Sequence, residues 1–120
     1  LSKILKFPDA KFLAICDVRN ERRETIKSTV DKAYGNRDCQ MYADQYELLA
    51  RPDIDAVLIA TGDRWHTPLS IIAAQHGKDV YCEKPCSMSI EESWALAQAF
   101  QRYNRLYQAG CQRRNGANFR

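Results

Sequence analysis

Short apolar runs alternate with longer amphipathic stretches along the chain. The runs at residues 12–16 and 56–61 are apolar on both strand faces, and 39–42, 79–82 and 106–111 are further strand candidates. Between these runs, apolar residues recur at helical spacing. The alternation predicts an α/β fold with parallel strands, five in number, and about four helices.

Residues typical of helix boundaries flank the amphipathic stretches. The expected starts are Asn20 as a cap, Thr67 as a cap followed by Pro68, and Ser89 with Glu92 as a capping box. Gly35 and Gly77 are expected to end two of the helices. The side chains predicted on buried helix faces are Ile26, Val30, Ala33, Tyr34, Leu69, Ile72, Ala73, Leu96, Phe100 and Tyr103.

The composition is that of one folded domain. The chain has 120 residues, of which 45% are hydrophobic and 10% aromatic. Its net charge of +3 comes from dispersed basic residues, which argues against nucleic-acid binding. The apolar runs are far shorter than the roughly 20 residues that cross a bilayer, so no membrane span is predicted. No secretory signal is visible.

The cysteine pattern favours free thiols. Five cysteines are an odd number, and none forms a C-x-x-C pair, so a disulfide framework or zinc module is disfavoured. Cysteines in apolar runs behave as small hydrophobes, which predicts buried reduced thiols in a reducing compartment, the cytoplasm. The alternative is a metal site built from Cys82, Cys86, Cys111 and His66, whose spacing is irregular.

Polar residues follow four of the predicted strands. In an open parallel sheet, ligands bind beyond the carboxyl ends of the strands, so these residues are candidates for a binding site. The alternative for any one of them is a strand that simply runs out into solvent. The candidates are Asp17 and Arg19; Thr61, Gly62, Asp63, Trp65 and His66; Glu83, Lys84 and Pro85; and Gln112 and Arg113.

The motifs at these strand ends resemble those of a known family. An acidic strand end at Asp17, a T-x-D-x-W-H loop, an E-K-P motif and a G-C-Q-x-R strand end resemble the Gfo/Idh/MocA family of nicotinamide-dependent sugar and cyclitol oxidoreductases. The resemblance covers nearly all of the chain and implies a Rossmann-like doubly wound parallel sheet. Gly62 stands where the family commonly has proline, and Cys86 where an aliphatic residue is usual.

Two parts of the family's architecture are not found in this sequence. Family members begin with a strand and a G-x-G-x-x-G turn and continue into a second α/β domain that lines the substrate site. We therefore expect residues 1–113 to be a partial NAD(P)-binding Rossmann domain and 114–120 to begin the link to a substrate domain. In the strand order 3-2-1-4-5-6, the lacking strand 1 would leave strands 2 and 4 with open edges. Such a chain should not fold alone as a monomer that binds NAD.

The resemblance and the chemistry together assign cofactor roles. Asp17 can accept both hydrogen bonds of the adenosine ribose diol and would repel a 2′-phosphate, so NAD is favoured, while Arg19 keeps NADP possible. The 61–66 loop is expected beside the nicotinamide half of the cofactor. Trp65 is equally well explained by packing, and His66 by capping or by a place at the edge of the site.

The E-K-P motif carries the catalytic hypothesis. By resemblance, Glu83 contacts the nicotinamide ribose. The Lys84 ammonium can hydrogen-bond the reacting hydroxyl or carbonyl, and we expect it to be partly buried. Pro85 fixes the direction in which these side chains leave the strand. The alternative for Lys84 is a surface lysine paired with Glu83. Gln112 and Arg113 are expected to reach cofactor or substrate, or else to be linker residues.

The resulting functional hypothesis is hydride transfer between NAD(P) and a hydroxyl or carbonyl of a sugar or cyclitol. Two alternatives remain open. One is a glycosidase of the same family that uses NAD for transient oxidation, and the other is a non-catalytic dinucleotide-binding or assembly module. The expected partners are a small sugar-like substrate and, in the full-length protein, further copies of the chain. Nucleic acid, membrane and metal partners are not expected.

Overall fold

The computed structural model describes residues 4–111. The strands are β1 (Ala14–Cys16), β2 (Gln40–Tyr42), β3 (Ala56–Ile59), β4 (Asp79–Glu83) and β5 (Tyr107–Gly110). The α-helices are α1 (Asn20–Tyr34), α2 (Gln45–Leu49), α3 (His66–Gln75) and α4 (Ile90–Arg102). Short 3-10 turns cover Ile4–Lys6 and Asp63–Trp65. The predicted alternation of strands and helices is confirmed.

The first of two compact units ends at Arg51. In it, β1 and β2 pair in parallel, with Cys16 opposite Tyr42. On α1, Val30 is fully buried, whereas Ala33 of the predicted buried face is exposed. The helix is short of apolar residues, so it buries a narrow stripe and leaves a charged face in solvent.

Only the C-terminal end of α1 matches the prediction. Asn20 is the first helical residue and not the cap, a position that Arg19 occupies without a capping side chain. The Asn20 side chain is used elsewhere, donating to Glu24 and accepting from Arg23. Gly35 ends the helix as predicted, with a φ of 67° that residues with a Cβ rarely adopt.

The second unit begins at Pro52 and contains the longer sheet. Its strands are parallel in the order β3-β4-β5, so β4 is central. The central position explains why both Val80 and Cys82 are buried. The helices α3 and α4 pack against each other, and α3 also packs on β3 and β4. Its core residues are Ile54, Ile59, Ala73, Ala74, Val80, Cys82, Leu96, Ala99 and Phe100.

The two longer helices of this unit start differently from each other. Ser89 caps α4 as predicted, accepting from the Glu92 N–H at 3.2 Å. The predicted Thr67 cap of α3 is wrong, because the 3-10 turn runs directly into a helix that begins at His66. The buried face of α4 carries Leu96 and Phe100 as expected, but Tyr103 is exposed.

The parallel strands and covering helices confirm the Rossmann-like fold class. Among the described residues, β1 pairs only with β2 and β3 only with β4, so the strands form two sheets. Within residues 4–111, no helix combines the length and the apolar character that a bilayer crossing needs.

Candidate functional site

The E-K-P motif lies at the carboxyl end of the central strand. Glu83 is the last residue of β4, Lys84 and Pro85 follow it, and the peptide bond between those two is cis. Glu83 and Pro85 are half-buried. Within residues 4–111 the Lys84 side chain is exposed, so the partial burial expected from the sequence is wrong. The ammonium group is therefore open to a ligand approaching the sheet end.

A glycine on the neighbouring strand makes room for Glu83. Gly110 of β5 is paired with Glu83 in the parallel register. A Cβ at Gly110 would lie 3.0 Å from Cys82 O and Glu83 Cα and 3.1 Å from Glu83 Oε2. These distances are shorter than ordinary van der Waals contacts, so a side chain at Gly110 would require a shift of the β4 backbone and glycine is favoured. The sequence pattern did not indicate this role, because the residue that Gly110 faces lies on another strand.

Buried polar side chains at the start of α3 hold the segment after Lys84. His66 Nδ1 lies 2.7 Å from Pro85 O and its Nε2 lies 3.2 Å from Thr61 O. Thr67 Oγ1 donates to Cys86 O at 3.0 Å. The exposed fractions of the His66 and Thr67 side chains are 1% and 4%. His66 is thus inside the molecule, linking the ends of β3 and β4.

The loop after β3 has a proline-like backbone. Gly62 has φ −69° and ψ 147°, values that a proline adopts without strain, so glycine and proline give the same loop shape here. Nothing lies within 4 Å of a Cβ added at Gly62. Thr61, Asp63 and Trp65 are exposed, with 59% of the Trp65 side chain accessible, so packing does not account for this tryptophan among residues 4–111.

The first unit has a carboxylate at a strand end. Asp17 follows β1, and its Oδ1 accepts from the Arg19 N–H at 2.8 Å. Its Oδ2 lies 3.6 Å from Arg22 Nη1, and Arg23 donates to the Asp17 carbonyl. The Asp17 side chain is 25% exposed, against 62% for Arg22. Arg19 was a candidate from the sequence and Arg22 was not, although Arg22, the third residue of α1, lies within ion-pair distance of Asp17.

The five cysteines are free. Cys39 and Cys82 are buried as predicted, Cys16 and Cys86 are half-buried, and Cys111 is exposed. Burial raises the pKa of the Cys82 thiol, so this group stays protonated at neutral pH. Among the described residues, no group of three or more His, Cys, Asp or Glu side chains could hold a metal ion.

Each unit by itself carries groups of the kind that bind part of a dinucleotide. In the first unit, the Asp17 carboxylate offers acceptors for a ribose diol. In the second unit, the exposed Lys84 offers a donor for a polar oxygen, and residues 61–65 of the loop after β3 are exposed. Gln112 and Arg113, the remaining candidates, lie outside the described residues.

Comparisons with known proteins bear on the family of this chain. The family model described as "Oxidoreductase family, NAD-binding Rossmann fold" (GFO_IDH_MocA) matches residues 2–111. A glycosyl hydrolase family 109 protein of Phocaeicola vulgatus is 38% identical over 93 residues, which are 74% of this chain and 20% of the relative. The myo-inositol 2-dehydrogenase of Thermotoga maritima is 32% identical over 114 residues, 93% of this chain and 32% of the relative.

A solved structure shows the same fold. The crystal structure of a probable dehydrogenase from Thermotoga maritima superposes with a TM-score of 0.80 at 31% identity, covering 92% of this chain and 32% of that one. The chain thus spans between a fifth and a third of the length of the curated relatives it matches. The match over residues 2–111, together with the Rossmann-like fold, shows that this chain belongs to the Gfo/Idh/MocA family of NAD-binding oxidoreductases.

Proposed function

We propose that the protein transfers a hydride between NAD and the hydroxyl or carbonyl carbon of a cyclitol or sugar. The observation that carries the proposal is the exposed Lys84 on a backbone whose next two carbonyls are held by buried side chains. Similarity to a myo-inositol 2-dehydrogenase supports the substrate class. The residues proposed to hold the cofactor are those derived from the sequence except His66, whose side chain is buried and bonds the backbone.

In this proposal, Lys84 is the catalytic residue and Glu83 binds the ribose next to the nicotinamide. When bound, the nicotinamide accepts a hydride from a secondary alcohol or returns one to a carbonyl. The Lys84 side chain hydrogen-bonds the oxygen of the reacting carbon: its ammonium gives that oxygen a proton as a carbonyl is reduced, and its amine takes the hydroxyl proton as an alcohol is oxidised. Because that oxygen is more negative in the transition state of carbonyl reduction than in the bound carbonyl, the interaction lowers the barrier.

We propose NAD over NADP on the chemistry of Asp17. A carboxylate hydrogen-bonds the 2′- and 3′-hydroxyls of a ribose and repels a phosphate at the 2′ position. The Arg22 guanidinium lies 3.6 Å from it and reduces that repulsion, and Arg19 adds a second positive charge two residues along the chain. The proposal is therefore a preference for NAD with measurable use of NADP.

To test this function, the whole protein is incubated with NAD and a panel of inositol isomers and aldoses. NAD reduction is monitored by the absorbance of the reduced nicotinamide. Turnover with at least one cyclitol or sugar, and faster with NAD than with NADP, is the expected result. NAD binding without turnover on any member of the panel would favour the non-catalytic binding module.

Similarity to the glycosyl hydrolase family 109 protein supports a second candidate. A glycosidase that oxidises its sugar transiently consumes no NAD overall, because the hydride returns to the sugar. A panel of nitrophenyl glycosides separates the two functions. Release of nitrophenol that needs bound NAD but leaves its redox state unchanged would favour the glycosidase, whereas stoichiometric NADH formation supports the dehydrogenase.

A further inference from the structure

Two consecutive side chains of α3 bind the backbone carbonyls of the two residues that follow Lys84 in the sequence. His66 Nδ1 is 2.7 Å from Pro85 O, and Thr67 Oγ1 is 3.0 Å from Cys86 O. We call this pair of contacts the carbonyl clamp. Lys84 immediately precedes the clamped residues, so the clamp restricts the backbone from which its side chain departs.

The imidazole also reaches the end of β3. His66 Nε2 lies 3.2 Å from Thr61 O. Both partners are carbonyl oxygens, which only accept, so an imidazole with a single N–H can donate to one of them. The shorter contact assigns that N–H to Nδ1, which donates to Pro85 O, whereas Nε2 lies near Thr61 O without donating to it.

The clamp is itself held rigidly. Ser70, which is fully buried, donates from Oγ to His66 O at 2.6 Å. On the other side of the segment, Glu92 of α4 accepts from the Met88 N–H at 2.6 Å and lies 3.4 Å from Thr67 Oγ1. The stretch from Pro85 to Met88 is thus hydrogen-bonded to both α3 and α4.

Buried polar side chains destabilise the fold unless they are hydrogen-bonded. A buried imidazole or hydroxyl loses its hydrogen bonds to water, and only a protein partner replaces them. An apolar side chain would fill the same volume and leave the two carbonyls without donors. We propose that His66 and Thr67 are positioning residues that fix the direction in which Lys84 leaves β4. This inference rests on the proposed function, in which Lys84 meets the substrate.

Matched substitutions separate the clamp from general packing. Thr67→Val keeps the shape of threonine but removes the hydroxyl, and Thr67→Ser keeps the hydroxyl. His66→Asn retains a donor close to the position of Nδ1, whereas His66→Gln retains one close to that of Nε2. Thr29→Val is the control, because the exposed Thr29 hydroxyl donates only within its own helix, to Thr25 O.

The experiment measures kcat, the NAD dissociation constant and amide hydrogen exchange of residues 86–88 in the whole protein. Misplacing a catalytic group by about 1 Å can cost about 100-fold in rate. We expect Thr67→Val to lower kcat roughly 10- to 100-fold, to leave the NAD dissociation constant within about twofold, and to accelerate exchange of the segment. Thr67→Ser should restore kcat, and His66→Asn should retain more activity than His66→Gln.

The outcomes distinguish this inference from the proposed function. If Lys84→Ala abolishes turnover while Thr67→Val and His66→Gln keep the kcat of the unmodified protein, the positioning role is wrong and the function of Lys84 stands. If Lys84→Ala itself turns over normally, the proposed role of Lys84 is wrong, and the positioning role with it. Where the His66 variants do not fold, the two Thr67 variants decide.

Discussion

The two strand ends that carry the site residues are built in different ways. At the end of β1, Asp17 is held by exposed or half-exposed groups, with Arg22 as its ion-pair partner. At the end of β4, the backbone beyond Lys84 is held by His66 and Thr67, which are almost fully buried. The side chain at the first end is held by surface contacts, whereas the backbone at the second end is held by buried side chains.

This difference matches the two tasks in the proposed reaction. Discriminating NAD from NADP needs a charge of the right sign near the ribose, and a surface side chain provides it. Placing a lysine against a reacting oxygen needs accuracy in position, which a buried hydrogen-bonded backbone provides. We therefore expect substitutions at the first end to change cofactor preference and those at the second to change turnover.

The largest effect is expected at Lys84. Lys84→Ala should lower kcat by about 10²- to 10⁴-fold, because a positioned proton donor or acceptor contributes on that order. The NAD dissociation constant should change little. Steady-state kinetics and a separate NAD titration measure the two quantities. Lys32→Ala, at an exposed lysine of α1, is the matched control and should behave as the unmodified protein.

The second prediction concerns the ribose carboxylate. Asp17→Ser should weaken NAD binding roughly 10- to 100-fold, since a hydrogen bond to a charged group contributes about 1.5–3 kcal/mol. It should also raise the relative use of NADP, because the Arg22 cation is then no longer paired with a carboxylate and can attract a 2′-phosphate. Comparing kcat/KM for both cofactors is the measurement. An unmodified protein that already prefers NADP would show that Asp17 does not select the cofactor.

Gly110→Ala should reduce both stability and cofactor binding. The added Cβ would meet Cys82 O and Glu83 Cα at 3.0 Å, and because both are backbone atoms, β4 must move. Overpacking of this kind typically costs about 1–3 kcal/mol of unfolding free energy. Gly62→Ala is the stability control, since its Cβ would meet nothing within 4 Å. Denaturant unfolding measures the unfolding free energy of both variants. Equal losses in Gly110→Ala and Gly62→Ala would show that the close approach at Gly110 is unimportant.

Hydrogen bonds between residues close in the sequence could be predicted, whereas those between distant residues could not. The Ser89 cap was predictable, because its partner Glu92 is three residues away. The use of Thr67 was not, because its hydroxyl bonds Cys86, 19 residues further along the chain. Thr67 followed by Pro68 has the pattern of a helix start, but the preceding 3-10 turn begins the helix one residue earlier. Gly110 was missed for the same reason, since its neighbour Glu83 lies on another strand.

The smallest effect is expected at the loop after β3. Gly62→Pro should raise the unfolding free energy by about 0.4–1 kcal/mol, because proline restricts the unfolded chain while the native φ of −69° suits it. Gly77→Ala should have the opposite sign, since its φ of 73° is unfavourable for any side chain. Thermal or denaturant unfolding measures both. A destabilising Gly62→Pro would mean that the loop needs a conformation other than the one described.

The most direct test of the division between the two strand ends is a double-mutant cycle of Asp17→Ser and Lys84→Ala, with kcat/KM for NAD as the measured quantity. If one end selects the cofactor and the other acts after binding, the two losses should add within about 0.5 kcal/mol. A coupling free energy well above about 1 kcal/mol would contradict the account, because it would mean that the two ends share one task.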